Sequence, residues 1–266
     1  MKAIVPAAGF GTRMLPITKS IPKEMLPVGN KPVIQYVIEW ILQAGIENII
    51  VITSQWKHSI EDYFDKSFEL EELLKQKWKH ELLDQINHTK YLGNLCFVKQ
   101  KEQLWFAHAI MQTSPWMSDD EYFLLTLGDE IHHPCIYQEI LALHQQTGKP
   151  VLALQTCPLE EIYKYGVAEV KDGRVMDLVE KPSVEQAPSN LRIIGDYILP
   201  SRIFDIIRSL PLNKRGEIDI VDAMKIIMEG EEILAYITEY PTRDIWTTES
   251  WLKANNDIVG DPLLLQ

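Results

Sequence analysis

Residues suited to phosphate chemistry gather near the amino end of the chain. The run Ala7-Ala8-Gly9-Phe10-Gly11-Thr12-Arg13 holds two glycines and a guanidinium, and Lys19 and Lys23 follow. Glycine lets backbone approach a ligand closely and aim N–H groups at it. Arginine adds a flat cation that matches phosphate oxygens. Together they form a cradle for a triphosphate. Two generic phosphate loops do not fit. A P-loop needs a longer gap between its glycines and a closing Gly-Lys-Ser/Thr. The dinucleotide fingerprint needs a third glycine where this chain has Met14, which speaks against a nicotinamide-dependent oxidoreductase.

Phosphoryl chemistry also needs anionic ligands for a metal and a second anion site. Asp129 follows an apolar run in Leu127-Gly128-Asp129, and Asp244 stands late in the chain. Glu180-Lys181-Pro182 offers a carboxylate beside an ammonium. Plainer readings exist: Asp129 as a helix N-cap, and Glu180-Lys181 as a solvated pair at a strand end. The neighbours His132 and His133 do not suggest a shared metal, because adjacent strand residues face opposite ways. His108 reads as packing at a helix start.

The chain that must position these groups has 266 residues, 46% apolar and 24% charged, enough for a packed core. Its net charge of −12 argues against nucleic acid as a partner. No apolar run is long enough to span a membrane. Cys96, Cys135 and Cys157 are odd in number and widely spaced, arguing against a disulfide framework or a zinc site and for a reducing, cytoplasmic setting.

Elements alternate over residues 1–156. Apolar strands are expected at Lys2–Ala7, Asn48–Thr53, Glu121–Gly128 and Pro150–Thr156, with helices at Pro32–Ala44 and Pro134–Gln146. That rhythm predicts right-handed βαβ units in a doubly wound α/β sheet flanked by helices. Ligands on such sheets sit at the carboxyl ends of the strands, so the loops Ala8–Glu24, Gln100–His108 and Asp129–His133 should hold the site. Two excursions interrupt the rhythm: an amphipathic helical stretch at Asp65–His88, and a strand-rich part over 165–199 with a hairpin at Asp172-Gly173. Helices return at Ser201–Ser209, Asp219–Glu229 and Thr247–Asp257. One domain, 1–266, is expected.

The longer string Gly11-Thr12-Arg13-Met14-Leu15-Pro16, Thr18-Lys19 and Pro22-Lys23-Glu24-Met25-Leu26-Pro27 resembles the signature of the sugar-phosphate nucleotidylyltransferases. More narrowly, it is similar to bacterial uridylyltransferases acting on glucose 1-phosphate, over nearly the whole chain. The resemblance implies a Rossmann-like (GT-A-like) fold and formation of UDP-glucose and pyrophosphate from UTP and glucose 1-phosphate, with Mg2+. It implies nucleotide contacts from Ala7, Ala8, Gly9, Gly11, Thr12, Gln100 and position 105, here Trp105. Arg13 and Lys23 would hold the triphosphate and departing pyrophosphate, and Asp129 and Asp244 the metal. Gly166, Glu180, Lys181, Asn190 and Gly195 would take the sugar phosphate, with Glu217 a weaker match. The segment beginning Asp65-Lys66-Ser67-Phe68 is similar to an insertion that related thymidylyltransferases lack. It favours uridine and implies a homodimer or homotetramer. Thymidylyl or other sugar specificity, or a non-catalytic nucleotide-sugar-binding relative, are the alternatives.

The chemistry agrees with the resemblance. A phosphate monoester has a second pKa near ~6, so the nucleophile is already largely a dianion and needs no general base. It needs charge neutralisation and alignment.

The departures from the family share one chemistry. Trp56, Trp78, Trp105 and Trp246 stand where family members carry glycine, and glycine is scarce here at 13 of 266 residues. A gene whose UGA codons mean glycine, read as tryptophan, would give this pattern. A chain made with these tryptophans is expected to bind nucleotide poorly.

Overall fold

The computed structural model describes residues 1–90, 92–118 and 121–260; the expected domain's closing residues, 261–266, lie outside them. The chain opens with β1 (Lys2–Pro6), a short hairpin β2 (Pro27–Val28) and β3 (Lys31–Pro32), helix α1 (Val33–Gln43) and β4 (Asn48–Ser54). Helices α2 (His58–Phe64), α3 (Phe68–Gln76) and α4 (His80–Lys90) lead to β5 (Asn94–Gln100), α5 (Phe106–Met111), β6 (Tyr122–Leu125) and β7 (Glu130–Ile131). Then come α6 (Pro134–Thr147), β8 (Val151–Thr156), β9 (Gly166–Lys171), β10 (Arg174–Glu180) and β11 (Leu191–Pro200). The chain closes with α7 (Ile203–Ser209), α8 (Ile220–Gly230), β12 (Leu234–Ile237), β13 (Arg243–Asp244) and α9 (Thr248–Val259).

Among the described residues a nine-stranded sheet runs β5-β4-β1-β6-β11-β8-β12-β10-β9. β1 is parallel to both neighbours, β4 and β6. Alternation along β1 sends Ala3 and Val5 to one face and Ile4 to the other. Val37 and Ile41 of α1, Ile140 of α6 and Ile258 of α9 cover the first face. Ile110 of α5, Phe204 of α7 and Met224 of α8 cover the second. Helix α1 follows β1 on one face, and α5 precedes β6 on the other. The winding therefore reverses at β1, and a crevice opens beyond its carboxyl end.

Three details go beyond the expected alternation. β11 lies antiparallel between β6 and β8, so a late segment separates two earlier strands. Its ten residues are buried at nearly every position, which suits a central strand. The helical excursion is broken at Trp78, whose N–H donates to Lys75 O while Lys79 N–H donates to Leu74 O, ending α3. The expected hairpin joins β9 to β10, with positive φ at both Asp172 (50°) and Gly173 (74°), the type I′ pattern.

Candidate functional site

The loop after β1 turns sharply at Gly11, whose φ is +65°. A Cβ there would stand 3.0 Å from Thr18 Cγ2, and the Thr18 hydroxyl donates to Gly11 O at 2.8 Å. The positive φ and the nearby Thr18 side chain both favour glycine in the turn that presents Arg13. The loop, the carboxyl end of β5, the start of α5 and the segment after β6 enclose a cavity of about 390 Å³. Ala8, Gly9, Gly11, Thr12, Arg13, Lys23, Gln100, Trp105 and Asp129 line it.

Lys23 and Glu24 share one 3-10 turn, and both line this cavity. Lys23 Nζ donates to Asp129 Oδ2. Burial pulls the Lys23 pKa down, but Asp129 and Glu24 outweigh it and leave it raised, so the ammonium is fixed. Glu24, 1% exposed, accepts two hydrogen bonds from Lys57 Nζ at 2.7 Å each. Burial lowers the Lys57 pKa against the pull of Glu24. Gln100 is buried at the cavity wall, its amide nitrogen 3.0 Å from His108 Nδ1. His108 thus packs in α5 and also orients Gln100.

A second cavity, about 350 Å³, adjoins the first. Gly166, Glu180, Lys181, Gly195 and Glu217 line it. Arg13, Trp105, Phe106, Leu127 and Trp246 line both cavities. Lys181 holds a left-handed backbone at φ 47°, with its N–H donating to Tyr165 O at 3.0 Å. Such strain in a non-glycine residue persists only where surroundings over-determine it. Lys181 Nζ stands 3.3 Å from Glu180 Oε1, yet burial still raises the Glu180 pKa. Gly195 has φ +83°, and a Cβ there would meet Leu127 Cδ1 at 2.7 Å.

Ala7, Asn190 and Asp244 line neither cavity. Ala7 is buried and its N–H is spent on Ile52 O. Asn190 is exposed, its carbonyl accepting from Cys157 N–H. Asp244 reaches the site through backbone pairing. β13 sets Asp244 opposite Glu130, and Ile245 N–H donates to Asp129 O at 3.0 Å. Asp129 does not cap α6; His133 does, and its ring also stacks on Tyr240 at 4.3 Å. Among the described residues no group of three or more His, Cys, Asp or Glu could hold a metal. A divalent ion held there would need substrate oxygens and waters to complete its shell, as ions that keep several waters do.

The sequence profile of the nucleotidyl transferase family matches residues 2–260. The chain belongs to that family. A Methanocaldococcus jannaschii protein named provisionally as a UTP–glucose-1-phosphate uridylyltransferase is 44% identical over 97% of this chain and 92% of its own. A Staphylococcus saprophyticus protein of that name is 41% identical over 92% of this chain and 86% of its own. The structure of a UTP-bound UGPase from Acinetobacter baumannii superposes with a TM-score of 0.91 at 32% identity, covering 99% of this chain and 95% of its own. A UDP-glucose pyrophosphorylase complexed with UDP-glucose gives 0.85 at 36% identity, covering 97% and 98%.

In this nucleotidyl transferase, only one of the four tryptophans expected at family glycine positions holds a left-handed backbone: Trp78, at φ 54° and 79% exposed. Trp105 is extended at φ −126°, so any effect there comes from bulk. Its indole N–H is buried without a protein partner. Trp246 lies under the Arg13 guanidinium, 5.5 Å from Cζ to ring. Sequence reasoning missed the Glu24–Lys57 pair, Glu130 and the cluster around His132. The signal for the first was a glutamate inside the Pro22–Pro27 string; nothing in Lys57 itself marked it as buried.

Proposed function

We propose that this chain transfers a uridylyl group from UTP to glucose 1-phosphate, releasing UDP-glucose and pyrophosphate. The observation that carries the reading is the pair of adjoining cavities with Arg13 in their common wall. One has the glycine loop, Lys23 and Asp129; the other has Glu180 and Lys181. UTP fits the first and the sugar phosphate the second, so their phosphates meet beside Arg13. Backbone N–H groups of the loop and Gln100 orient the nucleotide. Lys23 neutralises the triphosphate, and Lys181 holds the sugar phosphate.

A glucose 1-phosphate oxygen then forms a bond to the α-phosphorus while the bond from that phosphorus to the bridging oxygen breaks, and pyrophosphate leaves. No proton need be removed from the dianion, so the residues act by charge and alignment. We assign Asp129 and Asp244 to Mg2+, which when bound adds neutralising charge to the phosphate oxygens.

We treat residues 1–266 as one domain, supported by a sheet that both halves of the chain share. We also propose a homodimer or homotetramer through the insertion, where Phe68, Leu73 and Leu82 are exposed; light scattering tests this. A cytoplasmic setting accords with three unpaired cysteines. Among the described residues no helix is long and apolar enough to cross a membrane.

The test is pyrophosphate release with UTP, glucose 1-phosphate and Mg2+, run on this chain and on its Trp105→Gly, Trp246→Gly form. Release in either form supports the reading; release with dTTP in preference to UTP supports thymidylyl transfer. Binding of UDP-glucose by calorimetry without release in either form supports a non-catalytic role.

A further inference from the structure

Four carboxylates line the sugar cavity, those of Glu130, Glu180, Glu217 and Asp219. A phosphate monoester entering there is largely a dianion, and a carboxylate with no cation beside it would repel it. Two of the four have partners close by. Glu130 Oε2 stands 3.0 Å from His132 Nε2, and Glu180 Oε1 stands 3.3 Å from Lys181 Nζ. The ion pairs of Glu217 and Asp219 both lead to Arg215, which lines neither cavity. Arg215 Nη2 donates to both carboxylate oxygens of Asp219 at 2.7 Å, and its Nε lies 3.5 Å from Glu217 Oε2.

The loop between α7 and α8 holds this arrangement through Asn213. Asn213 N–H donates to Glu217 O at 2.7 Å, and Gly216 N–H donates to Asn213 O at 2.9 Å. Asn213 Oδ1 accepts from the N–H groups of Arg215 and Glu217, while Asn213 Nδ2 donates to Asp219 Oδ2 at 2.9 Å. Asp219 stands at the N-cap of α8, where an aspartate commonly accepts from the helix N–H groups. Its side chain makes no cap hydrogen bond. Forgoing a cap costs stability, and ion pairs on a side chain as exposed as Arg215, at 44%, offset little of that. Stability therefore does not explain why Asp219 is drawn to Arg215; charge in the sugar cavity does.

We propose that Arg215 is a positioning residue for the sugar phosphate: it neutralises Asp219 and Glu217 and fixes the 213–219 loop against the sugar cavity, so that a dianionic monoester can enter beside Lys181. This rests on the proposed reaction. Arg215 acts through the two carboxylates it holds. Without its guanidinium, both would stand uncompensated in the chamber of the sugar phosphate. The triphosphate lies in the other chamber, with Lys23. The loss therefore falls on one substrate, and salt screens it because the groups are partly exposed.

The experiment compares the parent chain with Arg215→Gln, Arg215→Lys, and Arg215→Gln combined with Asp219→Asn. The parent is this chain or its Trp105→Gly, Trp246→Gly form, whichever releases pyrophosphate. Steady-state constants are measured at low and high ionic strength. The expected result in Arg215→Gln at low salt is a rise of about fivefold or more in KM for glucose 1-phosphate, with KM for UTP and kcat within about twofold. High salt should shrink the rise. Arg215→Lys, which keeps the charge, should recover much of it, and so should Asp219→Asn, which removes the stranded carboxylate. An unchanged KM for glucose 1-phosphate in Arg215→Gln overturns the proposal. So does a rise shared equally by UTP, or one indifferent to both salt and Asp219→Asn, since either marks a merely structural role. If neither parent releases pyrophosphate, the proposed reaction fails, and calorimetry decides Arg215 by itself. Weaker binding of UDP-glucose in Arg215→Gln with UTP binding unchanged then supports the proposal; no change, or an equal loss for both ligands, overturns it.

Discussion

Lys23 and Asp129, 106 positions apart, form an ion pair in the wall of the nucleotide cavity. The contact joins the loop after β1 to the segment after β6 and sets a fixed cation beside the carboxylate assigned to the metal. A triphosphate entering with Mg2+ would compete for both partners. Lys23→Ala should therefore lower kcat/KM by about 10²–10³-fold, the usual cost of losing one preorganised phosphate contact. Pyrophosphate release measures it; a loss below threefold would remove Lys23 from the reaction.

The tryptophans at 105 and 246 line both cavities. Trp105→Gly with Trp246→Gly should tighten UTP binding by about tenfold or more, since excess bulk that crowds its neighbours costs about 1–3 kcal/mol. Calorimetry with UTP reads this directly, and no gain would count against the glycine reading. The gene offers a second check: UGG codons at all four positions would exclude it.

At Trp78 the prediction concerns stability. A left-handed backbone costs an L-residue about 1–2 kcal/mol relative to glycine, and the side chain is 79% exposed, so little packing is lost. Trp78→Gly should raise unfolding stability by about 1 kcal/mol in urea melts. Trp56→Gly, at an exposed position without positive φ, should not stabilise.

Glu24 and Lys57 form a pair buried on both sides, at 1% and 6% exposure. Removing one partner strands the other. Lys57→Met should cost about 3–5 kcal/mol, and Lys57→Met with Glu24→Leu should recover most of it. Urea denaturation of the single and double variants decides this; additive losses would show that the pair is not the cause.

His132 gives a pH dependence. Burial opposes its protonation, but Asp196 and Glu130 win and push its pKa up to about 10, against ~6.5 in an unfolded chain. Its contribution is complete below the unfolded value and is lost as pH rises from about 6.5 through about 10. Unfolding free energy should fall between pH 7 and pH 9. Glu130→Gln with Asp196→Asn should flatten that slope.

The local parts were legible in the chain alone. Apolar runs marked β1, β4, β6 and β8, because strands buried on both faces have no polar period to confuse. Spacing marked the glycine turn and Arg13, because a tight turn and its cation are neighbours in the chain. Helical periodicity marked α1, α6 and the insertion, although not the break at Trp78, which depends on backbone handedness. Folding in three dimensions settled the rest: β11 enters between β6 and β8, β13 pairs with β7, and Asp129 and Glu130 open on separate chambers. Those depend on register between remote strands, where a shift of one residue exchanges the faces. Burial was likewise invisible in advance. Nothing in the local sequence around Lys57, Glu130 or His132 marked them as buried; remote elements close over them and supply their partners.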